Sequence, residues 1–218
     1  MGRIWFPGNP WPDGHRIAMF AWNGRLDHDG RLWFNLELTT APYLETPPSE
    51  AVAGTDHWSS AETWEEYERC WLTSYGFGDL LAGTPERPFR LTRPHRLTAD
   101  PLPLSRPGAD LTWFTHVLGH DASADHELVF TPEATGTGHR IDWTAKVALT
   151  YLLGEEDFRH GFRVLLRDRA PGDISFPDDV PVHRAREMLA AVVDVPERFT
   201  PRDAETRTVL TYTPPTGA

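Results

Sequence analysis

From Ile141 onward the chain alternates between apolar and polar residues over an unusually long run. Ile141, Trp143, Ala145, Val147, Leu149, Tyr151 and Leu153 fall on one face, and Asp142, Thr144, Lys146 and Thr150 on the other. A two-residue period demands extended backbone, because successive side chains of a strand point to opposite faces. Gly154-Glu155-Glu156-Asp157 offers turn chemistry, and Phe158, Phe162, Val164 and Leu166 continue the alternation on the way back. With those four residues as the turn, Leu153 is expected opposite Phe158, Leu149 opposite Phe162, Val147 opposite Val164, Thr144 opposite Arg167 and Asp142 opposite Arg169. A second hairpin is expected near the start, from His15–Trp22 and Arg31–Thr39, joined through Asn23-Gly24 and Asp27-His28-Asp29-Gly30. The last of these segments imitates part of a calcium loop, but the remaining ligands are missing and it reads as a turn. Residues 207–213 predict a final strand.

Two stretches carry helical spacing. Ser59 and Glu62 stand at capping-box distance ahead of residues 60–75, where Trp64, Tyr67, Trp71, Leu72 and Tyr75 share a stripe. A helix over 181–193 places Ala185, Met188, Leu189, Val192 and Val193 on one side. Six prolines between Pro85 and Pro107 interrupt any period, and the Phe89, Leu91, Leu97, Leu102 and Leu104 among them suggest an extended segment laid along a folded surface. The expected organisation is therefore a hairpin-plus-helix half over 1–84, a Pro-rich crossing over 85–108 and a β-rich half over 109–218. The expected fold class is α+β, with antiparallel hairpins in one or two sheets and one amphipathic helix packed on them in each half. Gly-His-Arg-Ile occurs at 14–17 and again at 138–141, at the start of each hairpin, which fits an internal ββα repeat.

Charge narrows the function classes. The 218 residues hold 21 basic and 32 acidic side chains, a formal net charge of −11. An acidic surface repels a phosphate backbone, so sequence-independent nucleic-acid binding is not expected. No apolar run approaches the length of a membrane span, and a lone cysteine, Cys70, forms no internal disulfide, so the expected location is a reducing cytoplasm without membrane attachment.

The densest set of candidate metal ligands is His116, His120, Asp121, Asp125 and His126. Imidazoles and carboxylates are the ligands of zinc, manganese and non-haem iron. With a strand over 111–118, His116 and His120 would lie about 13 Å apart, so only a fold-back over 119–126 would gather three ligands. The alternative is a polar turn in which the aspartates bond local backbone. Arg159, Arg163, Arg167 and Arg169 form a cationic row on the predicted hairpin, suited either to an anionic ligand or to ion pairs with Asp142, Glu155, Glu156 and Asp157. Of nine tryptophans, Trp64, Trp71 and Trp143 are assigned to the interior, and Trp33 is the first choice for an exposed aromatic contact. No nucleotide loop, nucleophile elbow or zinc-protease motif is present, and neither Cys70 nor Lys146 has a neighbour that would activate it.

Phe176-Pro177-Asp178-Asp179-Val180-Pro181, the following helix and Pro196-Glu197-Arg198-Phe199 resemble the C-terminal stretch of some bacterial toxin-immunity proteins. That family carries a Phe-Pro-acidic-Val-Pro turn, a helix and an Arg-Pro exit, although the Arg-Pro order is not reproduced here. The resemblance covers about residues 176–199 and implies an acidic protein that neutralises a partner by binding it. The leading expectation is accordingly a non-catalytic protein-binding protein, an inhibitor or scaffold, with a basic partner and no cofactor. A metal-dependent hydrolase built on His116 to His126 is the alternative, and a small-molecule or glycan binder using exposed tryptophan is the third.

Overall fold

The computed structural model describes residues 2–49, 54, 56–74, 79–106, 110–134, 137–154, 157–202 and 207–215. Among them the chain is predominantly β and its main element is a closed antiparallel barrel of eight strands. These are β1 (Arg3–Trp5), β2 (His15–Leu26), β3 (Leu32–Thr40), β4 (Trp71–Thr73), β7 (Phe114–His116), β8 (His120–Pro132), β9 (His139–Ala148) and β10 (His160–Arg169). Their order around the barrel is β2-β1-β10-β9-β8-β7-β4-β3, and the pairing of β3 with β2 closes it. Beside it, β5 (Leu80–Gly83) extends β3 and β6 (His95–Ala99) pairs with β8. A three-stranded addition, β11 (Asp173–Ser175), β13 (Val209–Tyr212) and β12 (Phe199–Arg202), joins through a parallel pairing of β11 with β2.

This architecture overturns the α+β expectation. Only three α-helical segments occur among the described residues: α1 (Ala61–Glu65), α2 (Thr150–Leu153) and α3 (Val182–Val192). The helix expected over 60–75 stops after five residues, capped by Ser60, whose Oγ accepts the Thr63 amide. Its predicted stripe is divided, because Trp71–Thr73 instead fills the gap between β3 and β7 as β4. Cys70 and Leu72 are buried and Trp71 faces outward, so those residues satisfy a two-residue period as well as a helical one. Residue 75, the end of the expected helix, lies outside the described residues. With no long helix in the first half, the ββα repeat is not formed, although both Gly-His-Arg-Ile segments do begin barrel strands. α3 forms where periodicity places it and buries Ala185, Leu189 and Val192.

The β9–β10 ladder also differs from expectation. Val147 faces His160 and Trp143 faces Val164, a slip of four residues relative to the predicted register. The cause is local: Thr150–Leu153 curls into α2, and Gly154 ends it with φ 70°, a left-handed conformation that favours glycine. Because the slip is even, the apolar set stays on the same face. Ile141, Trp143, Val147, Phe162 and Val164 are all buried. A bulge in β8 has the opposite effect. Ala124 faces Lys146 but Glu127 faces Thr144, and the inserted Asp125 takes φ 54°. Buried positions therefore change from odd numbers, Asp121 and Ser123, to even ones, His126, Leu128 and Phe130. The interior is filled with rings, as in small closed barrels; Trp143, Phe162, Trp113 and His126 form one contiguous group and Phe6, Trp11, His15, Tyr43 and Trp64 another. No helix among the described residues is long and apolar enough to cross a membrane.

Candidate functional site

The five proposed metal ligands are distributed over two faces of β7 and β8. The turn between these strands is much tighter than the sequence suggested: Val117, Leu118 and Gly119 make it, Gly119 adopting φ 115°, and the chain is back in a strand at His120. His116 and His120 consequently sit directly across from each other, ring centroids 5.8 Å apart, rather than one strand-length apart. Asp121 points the other way. Its Oδ2 accepts the amides of Val117 (3.2 Å) and Leu118 (2.7 Å), so the carboxylate staples the turn from the buried side. Burial raises its pKa to about 6, against the lowering effect of those amides. Asp125 is exposed at the bulge. His126 lies in the interior, where its Nδ1 accepts the Trp143 indole N–H at 3.0 Å and burial lowers its pKa to about 3. No group of three or more metal-ligating side chains converges among the described residues.

The arginine row is engaged by acids. Arg159 pairs with Asp157 at 2.7 Å, Arg163 reaches Asp142 at 3.7 Å and Arg167 lies 4.0 Å from Glu133. Asp142 stands opposite Leu165, the consequence of the four-residue slip, and a register shift after Leu166 sets Arg169 opposite His139. Trp33 is half-buried: Arg25 covers its ring at 5.3 Å, and its indole N–H donates to Asp27 Oδ2 at 2.8 Å. Asp27 also accepts the Arg31 amide, which closes the β2–β3 turn. Cys70 is fully buried, and burial pushes its thiol well above the usual range, away from thiolate chemistry. Lys146 stands exposed on the outer face of β9.

What the structure does assemble on the outer face is a run of rings. Thr39, Trp71, His116 and His120 are consecutive cross-strand neighbours over β3, β4, β7 and β8. Phe114 meets Trp71 edge-on at 5.3 Å and His120 at 5.2 Å. Tyr67, on the loop after α1, meets His116 and Tyr151 at 6.3 and 6.4 Å, and Tyr151, on α2, meets His120 at 6.4 Å. Trp71 is 40% exposed and Tyr151 61%. An open groove of about 470 Å³ runs over Trp71, Phe114, His116 and His120, rimmed by Glu37, Glu68 and Arg69. Glu68 pairs with Arg69, and Glu37 accepts the Trp71 indole N–H at 3.3 Å. Burial, and then the neighbouring His120, lower the His116 pKa, so its ring is neutral at pH 7. The sequence reading placed Trp71 inside because it took residues 60–75 as one helix. The available signal was Gly119 followed two residues later by Asp121, a turn bonding its own backbone, which brings the two histidines together. Compared with models of protein families, with curated proteins and with solved structures, the chain matches none of them.

Proposed function

We propose that the protein is a non-catalytic binding protein of the cytoplasm and that it holds a basic protein partner against the ring face of β4, β7 and β8. The observation that carries this reading is the contiguous, partly exposed set Tyr67, Trp71, Phe114, His116, His120 and Tyr151, in which strand pairing fixes Trp71, Phe114, His116 and His120. Tryptophan and tyrosine are the residues that most often dominate protein interfaces, because they offer large rigid surface at low entropic cost. A cationic side chain laid over Trp71 gains from the ring and from Glu37 at the rim. The net charge of −11 orients and accelerates such an encounter. The resemblance of residues 176–199 to immunity proteins supports the same role, neutralising a partner by covering it. A buried, unpaired Cys70 is compatible with a reducing compartment.

The test uses a fluorescently labelled arginine-rich peptide as the probe, with anisotropy as the readout. Trp71→Ala and Tyr151→Ala are each expected to weaken binding by about tenfold, as truncation of a hot-spot ring does. Glu62→Gln, which removes an exposed acid on α1 that does not line the groove, is expected to change it little. Equal losses from all three substitutions would reduce the interaction to general charge attraction and overturn the assignment.

A further inference from the structure

The Pro-rich crossing contains a spacing that none of the strand or helix periods reveals. Arginine stands at every third position, at Arg87, Arg90, Arg93 and Arg96. The backbone that carries them is anchored on its inner side. Phe89, Leu91 and Leu97 are buried, the Phe89 amide bonds Val192 O at 2.8 Å, and the carboxylate of Asp194 accepts the amides of Leu91 and Thr92. The apolar side chains therefore take the inward positions and the guanidiniums are left around a basin of about 760 Å³ between β5 and β6. That volume is in the range of small-molecule sites. Leu81 and Leu97 supply apolar wall, and Thr84, His95 and Thr98 supply polar groups.

Ion pairing is sparse in this basin. Ten of the sixteen other arginines are matched to acids among the described residues, as Arg16 is to Glu45, Arg140 to Asp142 and Arg202 to Asp173. Of the four in the basin only Arg96 has such a match, with Glu127 at 2.7 Å. Arg87, Arg90 and Arg93 carry no ion pair with the described residues, and Glu86 is the single carboxylate in the lining. All three guanidiniums lie near half-buried His95: burial and then Arg87, Arg90 and Arg93 lower its pKa, against the raising effect of Asp194. A protein with a net charge of −11 thus gathers an excess of arginine over carboxylate in one concave place.

We propose that this basin binds a compact polyphosphate, an inorganic chain or the phosphate tail of a nucleotide, across Arg87, Arg90 and Arg93. A single carboxylate is satisfied by one guanidinium fork. Three forks on a fixed backbone present more donors than that, and match a ligand with several acceptor oxygens and at least two negative charges. The acidic remainder of the surface disfavours a long nucleic acid, whose charge would extend beyond the basin. The site is separate from the ring face and does not depend on its role.

Titration calorimetry with tripolyphosphate, ATP and inorganic phosphate tests this. One-to-one binding of tripolyphosphate or ATP, tighter than that of phosphate, is expected. Arg87→Gln and Arg93→Gln, both at exposed side chains, are expected to weaken it by about tenfold each, and Arg163→Gln on β10 to leave it unchanged. ATP tighter than tripolyphosphate assigns the Leu81 and Leu97 wall to a nucleoside, and equal affinities assign the basin to the phosphate chain alone. No heat up to about 1 mM ligand, the same loss in the Arg163→Gln control, or tighter binding of a single-stranded oligonucleotide than of tripolyphosphate would overturn the proposal. Thermal unfolding of each variant confirms that the fold is retained.

Discussion

His126 and His15 show how strongly the interior of this barrel constrains protonation. Trp143 donates its indole N–H to His126 Nδ1. Asn9 Oδ1 accepts the Trp11 amide, which directs the Asn9 NH2 toward His15 Nε2 at 3.1 Å. Each imidazole is used as an acceptor and is therefore neutral, with pKa values lowered to about 3 for His126 and about 4 for His15. In the unfolded chain both return to about 6.5. Below that pH the unfolded state takes up protons that the native state refuses, so stability declines with acidification by about 1.4 kcal/mol per pH unit for each ring. Asp121 has the opposite sign: its native pKa of about 6 exceeds its unfolded value, so the native state holds the extra proton as pH falls toward 4. The sum for the three groups is a net loss of about 3 kcal/mol between pH 6 and pH 4. Urea midpoints measured across this window should fall steadily, and a flat profile would contradict the buried, neutral histidines.

At the scale of elements, the β7–β8 turn shows what was legible and what was not. The β2–β3 hairpin follows from its alternation and from Asp27 and Gly30, all local signals. α3 follows from its spacing. Strand β4 is three residues long, too short to show a period, and exists because β3 and β7 both need a partner. Likewise, the arginines of 85–96 could not be recognised as a group while the folded path of that segment was unknown. The β7–β8 turn lies between these cases, since Asp121 was noted as a local backbone acceptor but the turn was placed too late. Asp121→Ala would leave the Val117 and Leu118 amides unsatisfied in a buried place, a cost of about 2 kcal/mol. Asp121→Asn keeps an acceptor oxygen and should cost less than about 1 kcal/mol. Equal losses in chemical denaturation would show that the staple is not the carboxylate oxygen.

At the scale of the whole molecule, the barrel takes β1 to β4 from the first 84 residues and β7 to β10 from beyond residue 109, and the two sets meet at β1–β10 and β4–β7. Separated, each set would expose two unpaired edges and half of an aromatic interior. Fragments 1–106 and 110–218 are therefore expected to lack dispersed amide spectra alone and to recover them on mixing; a folded spectrum from either fragment alone would contradict that dependence. The two meeting lines carry three rungs each. β4 contributes three residues to each of its neighbours and β7 only two to β8, just as β1 gives three to β10 and two to β2, so these two sectors are held by few rungs. They are the parts of the wall with a low cost of local opening, where amide protons trade with solvent soonest. The partly exposed rings of Trp71, Phe114, His116 and His120 lie across the β4, β7 and β8 sector, so anything that settles on them also clamps that seam of the barrel shut.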